Sequence, residues 1–137
     1  MKKILLPTDF SNPANNAFVY DVNLARDLGA SITLLHVFSL PLKSTITTFE
    51  EKRKRLIEEM VIAAKKEMTK LLERYPSDRV NRKEVRYGKF VDSEIADFAR
   101  DEDFDLIIMG MKGEHEMLDK WMGSVTTNLM RKLLAQF

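Results

Sequence analysis

The segment Asp105–Thr127, DLIIMGMKGEHEMLDKWMGSVTT, decides how the rest of the chain is read. A short apolar run, Leu106 to Met109, ends at Gly110. Gly113 follows after two residues, and Gly123-Ser124 after nine more, where a new helical pattern opens. A buried strand thus runs into a glycine turn, and a further glycine stands at a helix start. Glycine lets the backbone approach a ligand closely and accepts positive φ. Peptide N–H groups of such a turn, with the free N–H groups of a helix start, form a cradle for an anion. Inert turn glycines are the alternative reading of the same spacing. Gly-Lys-Ser/Thr of the nucleoside-triphosphatase P-loop is absent, and so is the dinucleotide pattern G-x-G-x-x-G.

The bulk of the chain narrows the function classes. Its 137 residues fit one domain with one core, residues 1–137. A hydrophobic share of 45% with 31% charged residues suits a soluble globular protein. The net charge of +1 supplies no field for nucleic acid or membrane, so neither is an expected partner. The basic run 52–55 is interleaved with helical apolar spacing and reads as a solvated helix face. There is no cysteine for disulfide or thiol chemistry. No apolar run approaches the roughly 20 residues of a membrane span. Lys2 and Lys3 precede apolar residues, but Pro7-Thr8-Asp9 interrupts the run too early for a secretory signal. The expected location is cytoplasmic.

Working outward from the glycine segment, strands and helices alternate. Ile4–Leu6 is a short strand ended by Pro7. Ser11 or Asn12 caps the next helix, with Pro13 in its first turn and Gly29 as C-cap. Its apolar face is read as Ala17, Phe18, Val19, Val22, Leu24, Ala25 and Leu28. Ile32–Phe38 is nearly continuous in apolar residues, as a strand covered on both faces should be. Residues 39–48 form a loop, and a long amphipathic helix spans Phe49 to Tyr75 until Pro76-Ser77-Asp78 stops it. Val80–Tyr87 carries Lys83, Glu84 and Arg86 and suits a charge-protected edge strand. Gly88 turns the chain into a helix capped by Asp92 or Ser93, with Ile95, Ala96, Phe98 and Ala99 apolar. Phe104–Met109 is the fourth strand, and the last helix starts at Ser124. The pattern predicts a three-layer α/β/α fold with an open parallel sheet, Rossmann-like, built from right-handed crossovers.

The spacing Gly110-x-x-Gly113-x9-Gly123-Ser124 resembles the nucleotide-binding signature of the universal stress protein family. Ile4-Leu5-Leu6-Pro7-Thr8-Asp9-Phe10-Ser11 is similar to the family's first strand and loop, and Leu34-Leu35-His36-Val37 to its second strand. Gly88 followed by Ile95 resembles the turn and helix after its third. The resemblance covers nearly the whole chain, in order. It implies an adenine nucleotide alpha hydrolase-like fold with strand order 3-2-1-4-5. The strand beside Leu106–Met109 would follow the last helix, yet the chain ends at Phe137 before any such run. Three readings stay open: a chain cut short, one part of a tandem protein, or an edge covered by a partner's swapped element. Members of the family usually dimerise near the fifth strand, so the resemblance implies a homodimer or pairing along the strand-four edge.

The resemblance also implies the site. Parallel crossover sheets bind ligands beyond the carboxyl ends of their strands where strand order reverses. Here that point lies between strands one and four, so Asp9 and Gly110 should face one another. Pro7 and Thr8 shape the first loop. Asp9 would bond a ribose hydroxyl or help hold magnesium through water; its other reading is a loop carboxylate bonded to nearby backbone N–H groups. The backbone of Val37 would meet the adenine ring. Gly110, Met111, Lys112, Gly113, Gly123, Ser124, Val125 and Thr126 would contact phosphate and ribose, with Ser124 also readable as a simple N-cap. His36 reads as a core or pocket-rim histidine. His115 with loose carboxylates is a poor transition-metal site. Residues 114–122 read as a flap, with Trp121 on the last helix or at a subunit contact.

The expected function is an ATP-binding regulatory protein of the stress response, using ATP or another adenine nucleotide, with or without magnesium. Phosphoryl transfer needs charge stabilisation and an oriented water. No arginine finger is visible and no base beyond Asp9 or His36, so hydrolysis is expected to be slow or absent. The rival expectation is a nucleotide-independent domain acting through dimerisation and protein contacts.

Overall fold

A computed structural model describes residues 2–40 and 50–109. These form β1 (Lys3–Pro7), α1 (Asn12–Leu28), β2 (Ser31–Phe38), α2 (Glu50–Arg74), β3 (Val80–Tyr87), α3 (Val91–Asp101) and β4 (Leu106–Ile107). The four strands make one sheet in the order β3-β2-β1-β4, with every pairing parallel. This is the predicted Rossmann-like order, with β3 at an edge.

The alternation of side chains divides the core between the two faces of the sheet. On one face Ile4, Leu6, Ile32 and Leu34 pack with Phe18, Val22 and Ala25 of α1 and with Met68 and Leu71 of α2. On the other, Leu5, Leu35 and Val37 pack with Ile95, Phe98 and Ala99 of α3 and with Phe104. β1 and β2 are therefore apolar on both faces, as covered parallel strands require. The charged residues of β3 lie where pairing is one-sided. Arg82 bonds Glu84 at 3.0 Å and Glu102 at 3.3 Å.

Local chemistry sets the limits of α1. Ser11 is extended, and its hydroxyl accepts from the Ala14 N–H at 3.3 Å. Gly29 is left-handed at φ 64°. The Gly29 N–H donates to Arg26 O and the Ala30 N–H to Ala25 O, the paired bonds of a Schellman C-cap.

Several sequence expectations need correction. Val19 and Leu28 are exposed, because the helix turns them away from the sheet; Asp21 takes a place on the buried stripe instead. α3 starts after Phe90, which has no side-chain cap bond, so neither Asp92 nor Ser93 is the N-cap. β1 includes Pro7, paired with Leu35. β4 is only two residues long, although the Ile108 N–H still donates to Leu5 O at 3.0 Å. In α2 the fully buried positions are Ala64, Met68 and Leu71, while Leu56, Ile57 and Met60 stay half-buried. Of the basic run, Lys52, Lys54 and Arg55 are exposed, while Arg53, whose spacing puts it on the same stripe as Leu56, Ile57 and Met60, is half-buried and bonds the Tyr87 hydroxyl at 2.6 Å. Most of the 39–48 loop, Phe49, the 114–122 flap with His115 and Trp121, and the last helix lie outside the described residues.

Candidate functional site

The crossovers from β1 to β2 and from β2 to β3 move in one direction along the sheet, whereas β3 to β4 returns past β1. Consistent with this, α1 and α2 share one face and α3 takes the other. Strand order reverses between β1 and β4, and ligands of open parallel sheets bind beyond the carboxyl ends at such a point. The residues there are the β1 loop, Thr8 to Ser11, and the chain leaving β4. Ile4 pairs with Leu106 and Leu5 with Ile107, so continuing the register puts Met109 beside Pro7.

The β1 loop is tied at every residue. Pro7 and Thr8 are buried. The Thr8 N–H donates to Leu35 O at 2.8 Å. Its hydroxyl accepts from the Phe10 N–H at 3.1 Å, and Asp9 Oδ1 accepts from the Ser11 N–H at 3.0 Å. Phe10 has φ 62°, a left-handed conformation that costs a bulky residue of order 1–3 kcal/mol and persists only where its surroundings impose it. The Asp9 carboxylate therefore does bond nearby backbone, as one sequence reading held. Holding one N–H does not exhaust it, because a carboxylate offers about four acceptor directions.

The end of β2 completes the described part of the site. The Val37 side chain is buried in the α3-side core, leaving only its backbone to reach a ligand. His36 points to the opposite face; its Nδ1 lies 2.8 Å from Thr8 O, and its ring centroid is 4.7 Å from that of Phe10. It is a rim histidine bound to the loop. Gly110, Met111, Lys112, Gly113, Gly123, Ser124, Val125 and Thr126 lie outside the described residues. The structure thus brings together Pro7, Thr8, Asp9 and Val37.

Among the described residues no cluster of three or more acidic or histidine side chains could hold a metal by itself. One carboxylate is nevertheless the protein share typical of magnesium, which keeps waters and takes substrate phosphates as its other ligands. Asp9 fits that limited role.

One charged group was missed in the sequence. Asp21, only 2% exposed, sits on α1 with Phe18 and Ala25 on the same stripe. Its Oδ2 has no hydrogen-bond partner. Burial pushes its carboxyl from 3.8 up to about 6. The available signal was its spacing, three residues after Phe18 and four before Ala25.

The profile of the universal stress protein family matches residues 1–133. The chain belongs to that family. Universal stress protein MJ0577 of Methanocaldococcus jannaschii is 33% identical over 149 residues, covering 96% of this chain and 89% of that protein. Its solved structure superposes with a TM-score of 0.64. Universal stress protein UspA from Lactobacillus plantarum is 26% identical, with a TM-score of 0.63 over 79% of this chain and 75% of that one. A universal stress protein solved in complex with cAMP shares the fold at 15% identity, with a TM-score of 0.51 over 95% of this chain and 88% of that one. No helix among the described residues is long and apolar enough to cross a membrane.

Proposed function

We propose that this universal stress protein is a regulatory module that binds an adenine nucleotide, ATP first among them, between the β1 loop and the glycine segment 110–126. The observation that carries this reading is the β1 loop. It stands at the strand-order reversal, holds Phe10 in a strained conformation, and fixes the Asp9 carboxylate by the Ser11 N–H. Strain of that kind, kept at a ligand-binding position of the fold, is what a preorganised site requires. The glycine spacing after β4 supplies the complementary half, main-chain donors for a phosphate chain.

In this reading Asp9 bonds the ribose or holds a magnesium ion through water, and the ion would neutralise phosphate charge. The Val37 backbone meets the base. Gly110, Gly113, Gly123 and Ser124 take the phosphates and ribose, with Met111, Lys112, Val125 and Thr126 beside them. Hydrolysis is slow or absent in this reading, since phosphoryl transfer needs charge stabilisation and an oriented water, and the chain shows no arginine finger. The cytoplasmic setting, and a second copy paired along β4, belong to the same proposal. Sedimentation showing one monomeric mass at every concentration would remove the second copy.

Calorimetry with ATP, ADP, AMP and cAMP, each with and without magnesium, tests the reading. ATP should bind at one site per chain, and Asp9→Ala or Gly113→Val should weaken it at least about tenfold, the loss of one or more charge-assisted contacts. Absence of binding for the whole series would favour the rival role in protein contacts alone. Rapid magnesium-dependent ATP turnover abolished by Asp9→Ala would replace the regulatory module with an enzyme.

A further inference from the structure

The geometry points to His36 as the positioning residue of the β1 loop: an imidazole protonated on Nδ1 that holds the Thr8 carbonyl and the Phe10 ring and so sets the place of Asp9. This inference rests on the nucleotide reading only for its consequence; the structural part stands without it.

The tautomer follows from the partner. Nδ1 lies 2.8 Å from the Thr8 carbonyl oxygen. A carbonyl can only accept, so Nδ1 carries the proton in this bond and the neutral ring has its acceptor at Nε2. Thr8 immediately precedes Asp9, and Phe10 follows with φ 62°. The peptide group preceding Asp9 is therefore the one whose orientation the bond controls.

A strained residue returns to an extended or helical conformation unless enough contacts oppose the change. Short-range ties within the loop come from Thr8 Oγ1 and Asp9 Oδ1. Both would move with the loop. The ties that anchor it to the sheet include the Thr8 N–H bond to Leu35 O, the packing of Phe10 on the α1-side core, the His36 bond to Thr8 O and the Phe10–His36 ring contact at 4.7 Å. His36 supplies the last two. His36 is itself held in the sheet, paired with Val85 and with its ring 6.3 Å from that of Phe38. A fixed strand residue thus transmits its position to a strained loop, and the strain is kept where a carboxylate must be aimed.

The test compares three variants. Asn at position 36 carries an amide N–H close to the place of Nδ1, whereas the amide of Gln reaches the place of Nε2. Phe keeps the ring and has no donor. Two readouts are taken at pH 8: the backbone amide shifts of Asp9, Phe10 and Ser11 in the free protein, and ATP affinity by calorimetry. Long-range nitrogen–proton spectra of the wild type should show Nδ1 protonated. His36→Asn, which keeps the donor but loses the ring, should displace the loop shifts least of the three and leave ATP affinity within about threefold of wild type. His36→Gln and His36→Phe should displace the loop shifts and weaken ATP about tenfold, the effect of losing one good hydrogen bond. Their thermal unfolding is recorded, and the shifts are compared only for variants that retain native shifts in β1 and α3.

Loop shifts displaced in His36→Phe, and less so in His36→Asn, support the inference even if the wild type binds no ATP; that result would end the nucleotide reading alone. Proton density on Nε2 instead of Nδ1 would overturn the assignment. So would His36→Phe with an unmoved loop and unchanged ATP affinity, or His36→Asn and His36→Phe behaving alike. If all three variants lose native shifts in β1 and α3, His36 is a general core residue and the positioning role is lost.

Discussion

The β1–α1 unit and the β3–α3 unit do the same topological job, each carrying a parallel strand through a short turn into a helix, yet they are built differently. The turn after β1 is polar and strained. Ser11 caps α1, Asp9 bonds backbone, Thr8 makes three hydrogen bonds, and Phe10 is left-handed. The turn after β3 is governed by sterics. Gly88 is buried with the Glu94 side chain against it, and Phe90, at the N-cap of α3, is exposed and makes no side-chain cap bond. The helices differ in the same sense. Every buried residue of α3 is apolar, whereas α1 buries Asp21. Unfavourable local features therefore gather in the unit that carries the candidate site. Such conflicts between local preference and fold are expected where function sets the sequence.

The largest expected effect tests the cost inside α1. Asp21 has a higher pKa folded than unfolded, so the folded state binds its proton more tightly. Below about pH 4 the group is protonated in both states and has no pH-linked penalty. From there to about pH 6 stability falls as the unfolded carboxyl ionises more readily, and above 6 the loss is complete. The rise from 3.8 to about 6 corresponds to about 3 kcal/mol at about 1.4 kcal/mol per pKa unit. Asp21→Asn should therefore stabilise the protein by up to about 3 kcal/mol at pH 8 and by almost nothing at pH 3.5, measured by denaturant unfolding at both values. A pH-independent gain would mean that burial does not raise the Asp21 pKa.

Next in size, Gly88→Ala should cost about 2 kcal/mol, because the new Cβ would lie 2.9 Å from Glu94 Cβ and overpacking costs about 1–3 kcal/mol. ATP affinity should remain unchanged, which separates the two turns. Ser11→Ala should cost about 1 kcal/mol through the lost cap, and it should also weaken ATP by loosening the loop. A change in stability with affinity intact would detach the cap from the site. Smallest of all, Phe90→Asp should add about 0.5 kcal/mol by capping α3 at an already extended residue. Thermal unfolding reads that gain, and its absence would show that the α3 start is already satisfied.

The fold was legible because its main signals are local. Apolar runs at 4–6 and 32–38, Ser11-x-Pro13 and Gly29 specify strands, cap and stop by short-range chemistry. The switch-point position of Asp9 followed from the strand order that the family resemblance implied, not from local signals. The left-handed Phe10 was not visible, since part of what surrounds it comes from His36, distant in sequence and brought to the loop by the pairing of β1 with β2. Asp21 was missed because helical spacing was read from apolar residues alone, and a carboxyl in the stripe leaves a gap in that pattern. Val19 and Leu28 were misplaced by the opposite error, apolar residues outside the buried arc. The capping rule failed at Phe90 because the first turn of α3 closes there through backbone alone, the Glu94 N–H donating to Phe90 O at 3.1 Å.

The most direct measurement is a titration of isotopically labelled protein with ATP, followed through its backbone amides. Saturable shifts confined largely to Thr8–Ser11, Val37 and residues 110–126 are predicted, with Lys89–Val91 after β3 unmoved. Shifts centred on the β3–α3 turn, or a spectrum indifferent to ATP, would contradict the assignment of ligand binding to the β1 loop.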